Sequence, residues 1–377
     1  MYFDYCATTP LSDEVLEAMR PFWQENFGNP SSLHMEGKIA ARALEHARCQ
    51  VAELLHTDKE EIVFTSGATE ANNLALLGVL RPWEDKKAHL ITSAVEHHSV
   101  LHIAQACERM GCAVTYLPVD AKGLISPHEL RRAIRKETRL ISIMHVNNEI
   151  GSVQPIEEIG KIAAENNLYF HCDAVQGMGL LEVMVKDVGI HLLSISAHKM
   201  YGPKGTGALY VQKGIPIQSL MYGGSQEGRI RPGTENVPGI VGLGKTAELA
   251  SRHRHENRLY IGQLRDRLIR SLRQACPNLL INGADGDRVC PHVVSLTFPG
   301  SIAEMMQIKL AMQGVAVSLG SACNSREIEP SHVLLAIGLK RESADATIRV
   351  SIGNKTTIEE IIRLSEILPS VASACRI

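Results

Sequence analysis

A mainly parallel α/β sheet covered by helices, with a smaller α+β unit attached, is the fold this sequence predicts. Three observations carry the prediction. From Glu61 to Val211, seven short β-branched runs alternate with segments of helical periodicity. A glycine- and proline-crowded stretch and a long polar helix then interrupt the pattern, and a shorter mixture of strands and helices follows. Finally, 377 residues favour two cores over one.

The elements follow in order. EIVFTS leads into ATEANNLALLGVL, HLITSA into HSVLHIAQACERMG, AVTYLPV into PHELRRAIR, and LISIMHV into PIEEIGKIAAENN, while LYFHCDAV, HLLSISA and GTGALYV extend the series. Strands separated by helical crossovers pair in parallel and carry helices on both faces. Glycine and proline crowd Gly223 to Gly239, and a polar helical stretch runs from about Lys245 to Cys276. Beyond it, HVVSLTF, AEMMQIKLAMQ, VAVSLG, PSHVLLAIG, ATIRVSIG and TIEEIIRLSEIL read as the α+β unit.

Composition excludes several functions. A net charge of −2 and the absence of a Lys/Arg cluster interleaved with aromatics leave no field to hold a polyanion, so no direct nucleic-acid partner is expected. MYFDYCATTP lacks a basic segment followed by an apolar core, and no run approaches the ~18 apolar residues that span a bilayer. The reading is a cytoplasmic protein with no membrane partner. Nine scattered cysteines, an odd number, do not form a disulfide framework, and the Cys107/Cys112 pair lacks metal-ligand spacing, so reduced thiols and no metal are expected.

One motif is set aside. Gly239, Gly244, Lys245 and Thr246 in GIVGLGKT satisfy the P-loop pattern letter for letter. A P-loop needs a buried strand feeding it. The preceding GGSQEGRIRPGTENVP is too rich in glycine, proline and charge to be that strand. A helix start of small residues packed closely on its neighbours is the remaining reading.

In an open parallel sheet, ligands bind beyond the carboxyl ends of the strands, and four reactive positions lie there. SGATE, Ser66 to Glu70, joins a strand to a helix, where free N–H groups suit a phosphate; a plain N-cap by Ser66 or Thr69 is equally consistent. His97 follows the strand HLIT and could stack on a planar ligand, shuttle protons or simply cap a helix. Asp173 ends the strand YFHCD, where a buried carboxylate needs a partner, either a pyridinium nitrogen or an arginine. Lys199 follows HLLSISAH, where partial desolvation would lower its pKa and make it an amine nucleophile capable of a Schiff base; solvation is the ordinary alternative. Together these supply a phosphate cradle, a ring stacker, an anion and an amine, the set that pyridoxal phosphate requires.

Cys323 lies in SLGSACNSREIEPSH, a loop of small polar residues between a strand and a helix. Cys49 and Cys107 fall in helical patterns and Cys172 inside a strand, where cysteine behaves as a small hydrophobe. A loop thiol can instead be presented to a neighbouring site.

These segments resemble a known family. DYCATTP, FGNPSSLH, IVFTSGATEANNLAL, HVNNEIG, HCDAVQ, SAHKMYGPKGTGALY, RPGTENV and GSACNSREIEPSHVL are similar, in order, to the signature segments of the cysteine desulfurases, fold-type I pyridoxal phosphate enzymes of the class V aminotransferase superfamily. The likeness runs from the first residues to about Gly353. It implies a large cofactor-binding domain over 15–255, with a seven-stranded sheet, and a small domain from 1–14 and 256–377 that carries the cysteine loop.

The resemblance also implies roles. Lys199 carries the cofactor, His97 stacks on its ring and relays protons, and Asp173 pairs with the ring nitrogen. Asn148 and Gln176 contact the ring hydroxyl. Ala68, Thr69, Ser196 and His198 hold the phosphate, joined by Thr234 from the second subunit of a homodimer with a shared active site. Asn29 and Arg349 bind the carboxylate of the substrate, L-cysteine, a task suited to a guanidinium fork. Cys323 takes the substrate's sulfur as a persulfide, alanine leaves, and the sulfur passes to an acceptor protein, an iron–sulfur scaffold or a thiolation enzyme. The long GSAC loop resembles that of the group that delivers directly to scaffold proteins. Leu319, Ser225 and Asn324 depart from the family's usual residues without removing a reacting group. A selenocysteine lyase, a class V aminotransferase and a non-catalytic sulfur-assembly scaffold are the rival readings.

Overall fold

The computed structural model describes residues 1–80, 88–319 and 330–376. Among them, seven strands form one sheet: β1 (Ile62–Thr65), β2 (His89–Ser93), β3 (Ala113–Leu117), β4 (Thr138–Ser142), β5 (Tyr169–Asp173), β6 (Leu192–Ser196) and β7 (Gly207–Val211), in the order β1-β7-β6-β5-β4-β2-β3. The pairs from β6 through β3 are parallel, whereas β7 runs antiparallel to both β6 and β1. The sequence pattern placed GTGALYV in the parallel series. Only residues 197–206 separate β6 from β7, too few for the crossover a parallel neighbour needs, so the chain turns straight back.

Both faces of the sheet are covered, as its nearly continuous apolar strands require. Ile62, Phe64, Ile141, Phe170, Leu193 and Tyr210 join one core with helices Met35–Leu55, Ile156–Glu165 and the first half of Val237–Ala275. Val63, Leu90, Leu140, Leu192 and Leu209 point the other way, onto helices Ala68–Leu80 and His98–Arg109. The period-2 alternation of side chains along each strand makes this division.

A second sheet, in the order β10-β11-β9-β8, comprises β8 (Leu280–Asn282), β9 (Val293–Thr297), β10 (Ser318–Leu319) and β11 (Thr347–Ser351), all neighbours antiparallel. Its core includes Leu296, Val350, Leu364 and Leu368, together with Phe3. The helix Val237–Ala275, 39 residues and about 58 Å long at 1.5 Å per residue, supplies Leu243 and Ala247 to the first core and Leu264, Leu268 and Leu272 to the second.

That helix starts earlier than about Lys245. Asn236 caps it, accepting from Gly239 N at 3.3 Å, and Pro238 occupies its first turn. GIVGLGKT is therefore helical, with Lys245 paired to Glu248. The glycines serve packing: a Cβ at Gly242 would meet the Met19 side chain at 2.6 Å, and one at Gly244 the Ala47 Cα at 2.6 Å. The P-loop reading has no strand beneath it, as expected.

Candidate active site

The carboxyl ends of β1, β2, β4, β5 and β6 open onto a cavity of about 600 Å³. It brings together Ala68, Thr69, His97, Asn148, Asp173, Gln176, Ser196, His198, Lys199 and Arg349.

After β1 the chain passes through Gly67 at φ +149° and enters helix Ala68–Leu80. A Cβ on Gly207, at the start of β7, would meet Gly67 Cα at 2.7 Å, so two strands of backbone approach as only glycine allows. Glu70 takes the N–H of Ser66 at 2.7 Å and is itself held by Arg231 Nε at 2.8 Å. The N–H groups of the first helical turn, at Ala68 and Thr69, have no intrahelical acceptor and line the cavity beside Ser196, His198 and Lys204. They make an anion cradle.

Asp173 closes β5 and is 6% exposed. Its carboxylate accepts from Asn72 Nδ2 at 2.8 Å and from Val175 N at 3.1 Å, both neutral donors. No arginine pairs with it among the described residues. Asn72 also donates to Ser99 Oγ at 2.9 Å, and Ser99 Oγ lies 2.8 Å from His97 Nδ1. His97 caps helix His98–Arg109, its Nδ1 accepting from Ser99 N at 3.1 Å, and lines the cavity at the same time. Burial depresses the pKa of its imidazole; Asp173 opposes that shift and Lys199 adds to it.

Lys199 ends the short turn after β6. Its Nζ donates to the carbonyls of Cys6 and, at 2.9 Å, of Ala7. The lysine is turned inward onto the amino-terminal segment instead of outward into solvent. Gln176 Nε2 donates to the same Cys6 carbonyl at 3.2 Å, and His198 Nδ1 lies 3.2 Å from Thr8 Oγ1. Burial, with Lys199 and Lys204 nearby, pushes His198 down to about 4, which keeps it neutral.

Arg349, on β11, reaches the cavity from the second sheet. It donates to the Asn148 carbonyl at 3.0 Å and to Asp4 Oδ1 at 3.0 Å. Asn29 and Thr234 do not line this cavity: both are exposed, and Asn29 Oδ1 accepts from Ser31 N at 2.9 Å within its own turn. Cys323 lies outside the described residues, as does Asn324. Of the other departures, Leu319 packs against the second core and Ser225 is exposed.

Several cavity residues escaped the sequence reading. Cys6 lines the cavity, its thiol held up by burial against the opposing charges of Arg349 and Lys199. Glu149, also lining it, accepts from Ser331 Oγ at 2.5 Å and is pushed up to about 7 by burial. Glu96, behind His97, is pushed up to about 8. A signal existed for the glutamates, since AVEHH and NNEIG set an acid a few residues beyond an apolar strand.

A buried anion with only neutral partners, an amine, an imidazole and a glycine-built anion cradle around one cavity define the site of an enzyme working through a phosphorylated pyridine aldehyde. Pyridoxal phosphate fits each part: the Asp173 carboxyl, met by neutral donors among the described residues, could take a cationic ring nitrogen, and a Cβ at Gly207 would close on the cradle. The family model for aminotransferase class V matches residues 1–364. The chain belongs to that pyridoxal-phosphate-dependent family. It is similar to "Cysteine desulfurase IscS" of Dictyoglomus turgidum, 47% identical over 376 residues, covering 100% of this chain and 95% of that protein. It is also similar to the "Cysteine desulfurase" of Rattus norvegicus, at 44% identity over 96% of this chain and 80% of that protein. Among solved structures, a "NIFS-LIKE PROTEIN" superposes with a TM-score of 0.93 at 36% identity and 99% coverage of both chains. Another, titled "SspA in complex with cysteine", superposes with a TM-score of 0.84 at 40% identity, covering 94% of this chain and 99% of that one.

Proposed function

We propose that this chain works as a cysteine desulfurase, releasing L-alanine from L-cysteine and keeping the sulfur for transfer. The carrying observation is the meeting of Lys199, Asp173, His97 and Arg349 around one cavity. Bound there, pyridoxal phosphate supplies an electron sink for the bonds around the substrate's α-carbon.

The chain's own residues do the rest. Asp173 holds the ring nitrogen, Asn148 and Gln176 orient the ring hydroxyl, and Ala68, Thr69, Ser196 and His198 hold the phosphate. His97, kept neutral by burial, can cover the ring and pass protons. Lys199 Nζ tethers the cofactor and then moves the proton of the α-carbon. Arg349 takes the substrate carboxylate through its fork of donors, while Asn29, the other residue the resemblance offered for this task, stands away from the cavity of the single chain. Apolar Met144, Val146 and Val175 line the same cavity and limit water.

Cys323 is assigned the thiolate that attacks the substrate sulfur. The C–S bond breaks, its electron pair stays with carbon, a proton from the site completes alanine, and a persulfide remains on Cys323. Support comes from both flanks of its segment. Ser318 stands opposite Arg349 in the β10–β11 register, while His332 lines the cavity and Ser331 bonds to Glu149.

The division into a large domain over 15–255 and a small one from 1–14 and 256–377 is supported by two separate cores, the second holding Phe3. A homodimer sharing its sites, with Thr234 reaching the partner's phosphate, is supported by the exposure of Thr234 and of apolar Trp23, Phe27, Leu33 and Met35. A sulfur-accepting protein and a cytoplasmic setting complete the reading.

The test is turnover of L-cysteine by the cofactor-loaded protein and by Cys323→Ser, with a dithiol present to reduce the persulfide and release its outer sulfur as sulfide. Alanine and sulfide in equal amounts are expected from the first; the variant should keep the cofactor's visible absorbance and lose sulfide release. Undiminished sulfide release from Cys323→Ser ends the assignment of the thiol.

A further inference from the structure

The guanidinium of Arg349 is buried, and its Nε meets no hydrogen-bond partner among the described residues. Of its two terminal nitrogens, Nη1 donates to the Asn148 carbonyl and Nη2 to Asp4 Oδ1, each at 3.0 Å. Asp4 is placed there by backbone pairing. Ser351, two residues beyond Arg349, bridges in parallel to Asp4, and its N–H donates to the Phe3 carbonyl at 2.7 Å. Ala7 N returns to the Asp4 carbonyl at 3.0 Å, and Tyr2 Oη donates to that carbonyl also at 3.0 Å. The Asp4 backbone is thus fixed from both sides. Its carboxylate is the anion in ion-pair contact with Arg349, whose side chain is 5% exposed.

We propose that Asp4 is a positioning residue for the substrate: it holds Arg349 in the orientation that receives the carboxylate of the amino acid. This rests on the reading of Arg349 as the carboxylate seat. The physical case has two parts. A buried guanidinium needs a charged partner to be retained in that state, and Asp4 supplies it when no substrate is present. A fork held at two of its nitrogens also keeps its remaining donors in a fixed plane, and a planar bidentate acceptor such as a carboxylate matches only certain planes. Asp4 is not among the cavity's lining residues; among the described residues its carboxylate meets the cavity through Arg349, and its backbone through Ala7.

The experiment compares Asp4→Asn, Asp4→Glu and Arg349→Lys in the cofactor-loaded enzyme. It measures kcat and KM for L-cysteine, binding of L-alanine through its perturbation of the cofactor absorbance, and the melting temperature. Asn keeps the size of Asp and loses the charge, so KM and the alanine dissociation constant should rise about tenfold, short of the roughly hundredfold that a mis-set binding group can cost, with kcat nearly kept. Asp4→Glu should restore part of the loss. Arg349→Lys should raise KM more than Asp4→Asn does. If Arg349→Lys raises KM and Asp4→Asn does not, the role of Asp4 is refuted while that of Arg349 stands. If Asp4→Asn lowers kcat and the melting temperature together and leaves alanine binding unchanged, Asp4 is only a structural tie and the proposal falls. An unchanged KM in Arg349→Lys removes the carboxylate seat and this proposal with it.

Discussion

Glu96 offers the sharpest quantitative test of the site's electrostatics. It sits between β2 and His97, fully buried, with Oε1 accepting from Ser93 Oγ at 2.7 Å and Met144 N at 3.0 Å, while Oε2 meets no partner among the described residues. Burial is the main cause that lifts its carboxyl from 4.5 to about 8, with Asp173 contributing in the same direction. An acid whose folded pKa is raised keeps its proton in the native state while the unfolded chain gives it up. The native state is therefore undisturbed below about pH 4.5 and loses stability steadily as pH rises toward 8. At 1.36 kcal/mol per pH unit, the loss amounts to about 5 kcal/mol by pH 9. Glu96→Gln keeps the acceptor for Ser93 and Met144 and cannot ionise. Urea denaturation of the cofactor-loaded wild type and variant should give similar stabilities at pH 5, and at pH 9 the variant should be the more stable by several kcal/mol. A gap of equal size at both pH values, or a wild type that gains on the variant as pH rises, would refute the reasoning.

Other substitutions probe other parts. Asp173→Asn should leave the fold intact and weaken cofactor retention about 10- to 100-fold, the worth of one charge-assisted hydrogen bond, followed by absorbance during dialysis; full retention contradicts the pairing with the ring nitrogen. Gly207→Ala places a Cβ 2.6 Å from the Ile195 carbonyl and 2.7 Å from Gly67 Cα, so it should cost about 1–3 kcal/mol and reduce phosphate affinity, read by thermal melting and by titration with pyridoxal phosphate. Lys245→Ala removes only a part-exposed pair with Glu248, and a stability change under about 1 kcal/mol with no effect on sulfide release is expected; ATP binding abolished by this change would revive the P-loop.

Some of this was legible in the sequence, for physical reasons that can be named. Ser66 to Thr69, His97, Asp173 and Lys199 each follow a strand-like run, and a parallel sheet collects strand ends on one edge. Local pattern therefore sufficed to gather them. Arg349 arrives on a strand of the other sheet, and Asp4 meets it through a pairing between segments 345 residues apart, which no periodicity records; the resemblance supplied Arg349 and nothing supplied Asp4. Cys6 was passed over because a cysteine in an unpatterned amino-terminal segment carries no local signal of burial beside two cations. The direction of β7 depended on the length of a loop, and the start of the long helix on glycines that read as breakers but serve close approach to Met19 and Ala47. Asn29 and Thr234, which only the resemblance offered, do not line the cavity of the single chain.

The threading of residues 2–9 through the site has a consequence for biosynthesis. Phe3 and Asp4 find their partners at Arg349 and Ser351, and Lys199 and Gln176 rest on the Cys6 carbonyl. While the ribosome is still short of residue 351, the large sheet can already be complete and Thr9 can already pair with His198, yet Phe3 and Asp4 still lack their partners on β11. A nascent chain therefore has its large sheet long before the cavity at the strand ends gains the wall that Arg349 supplies.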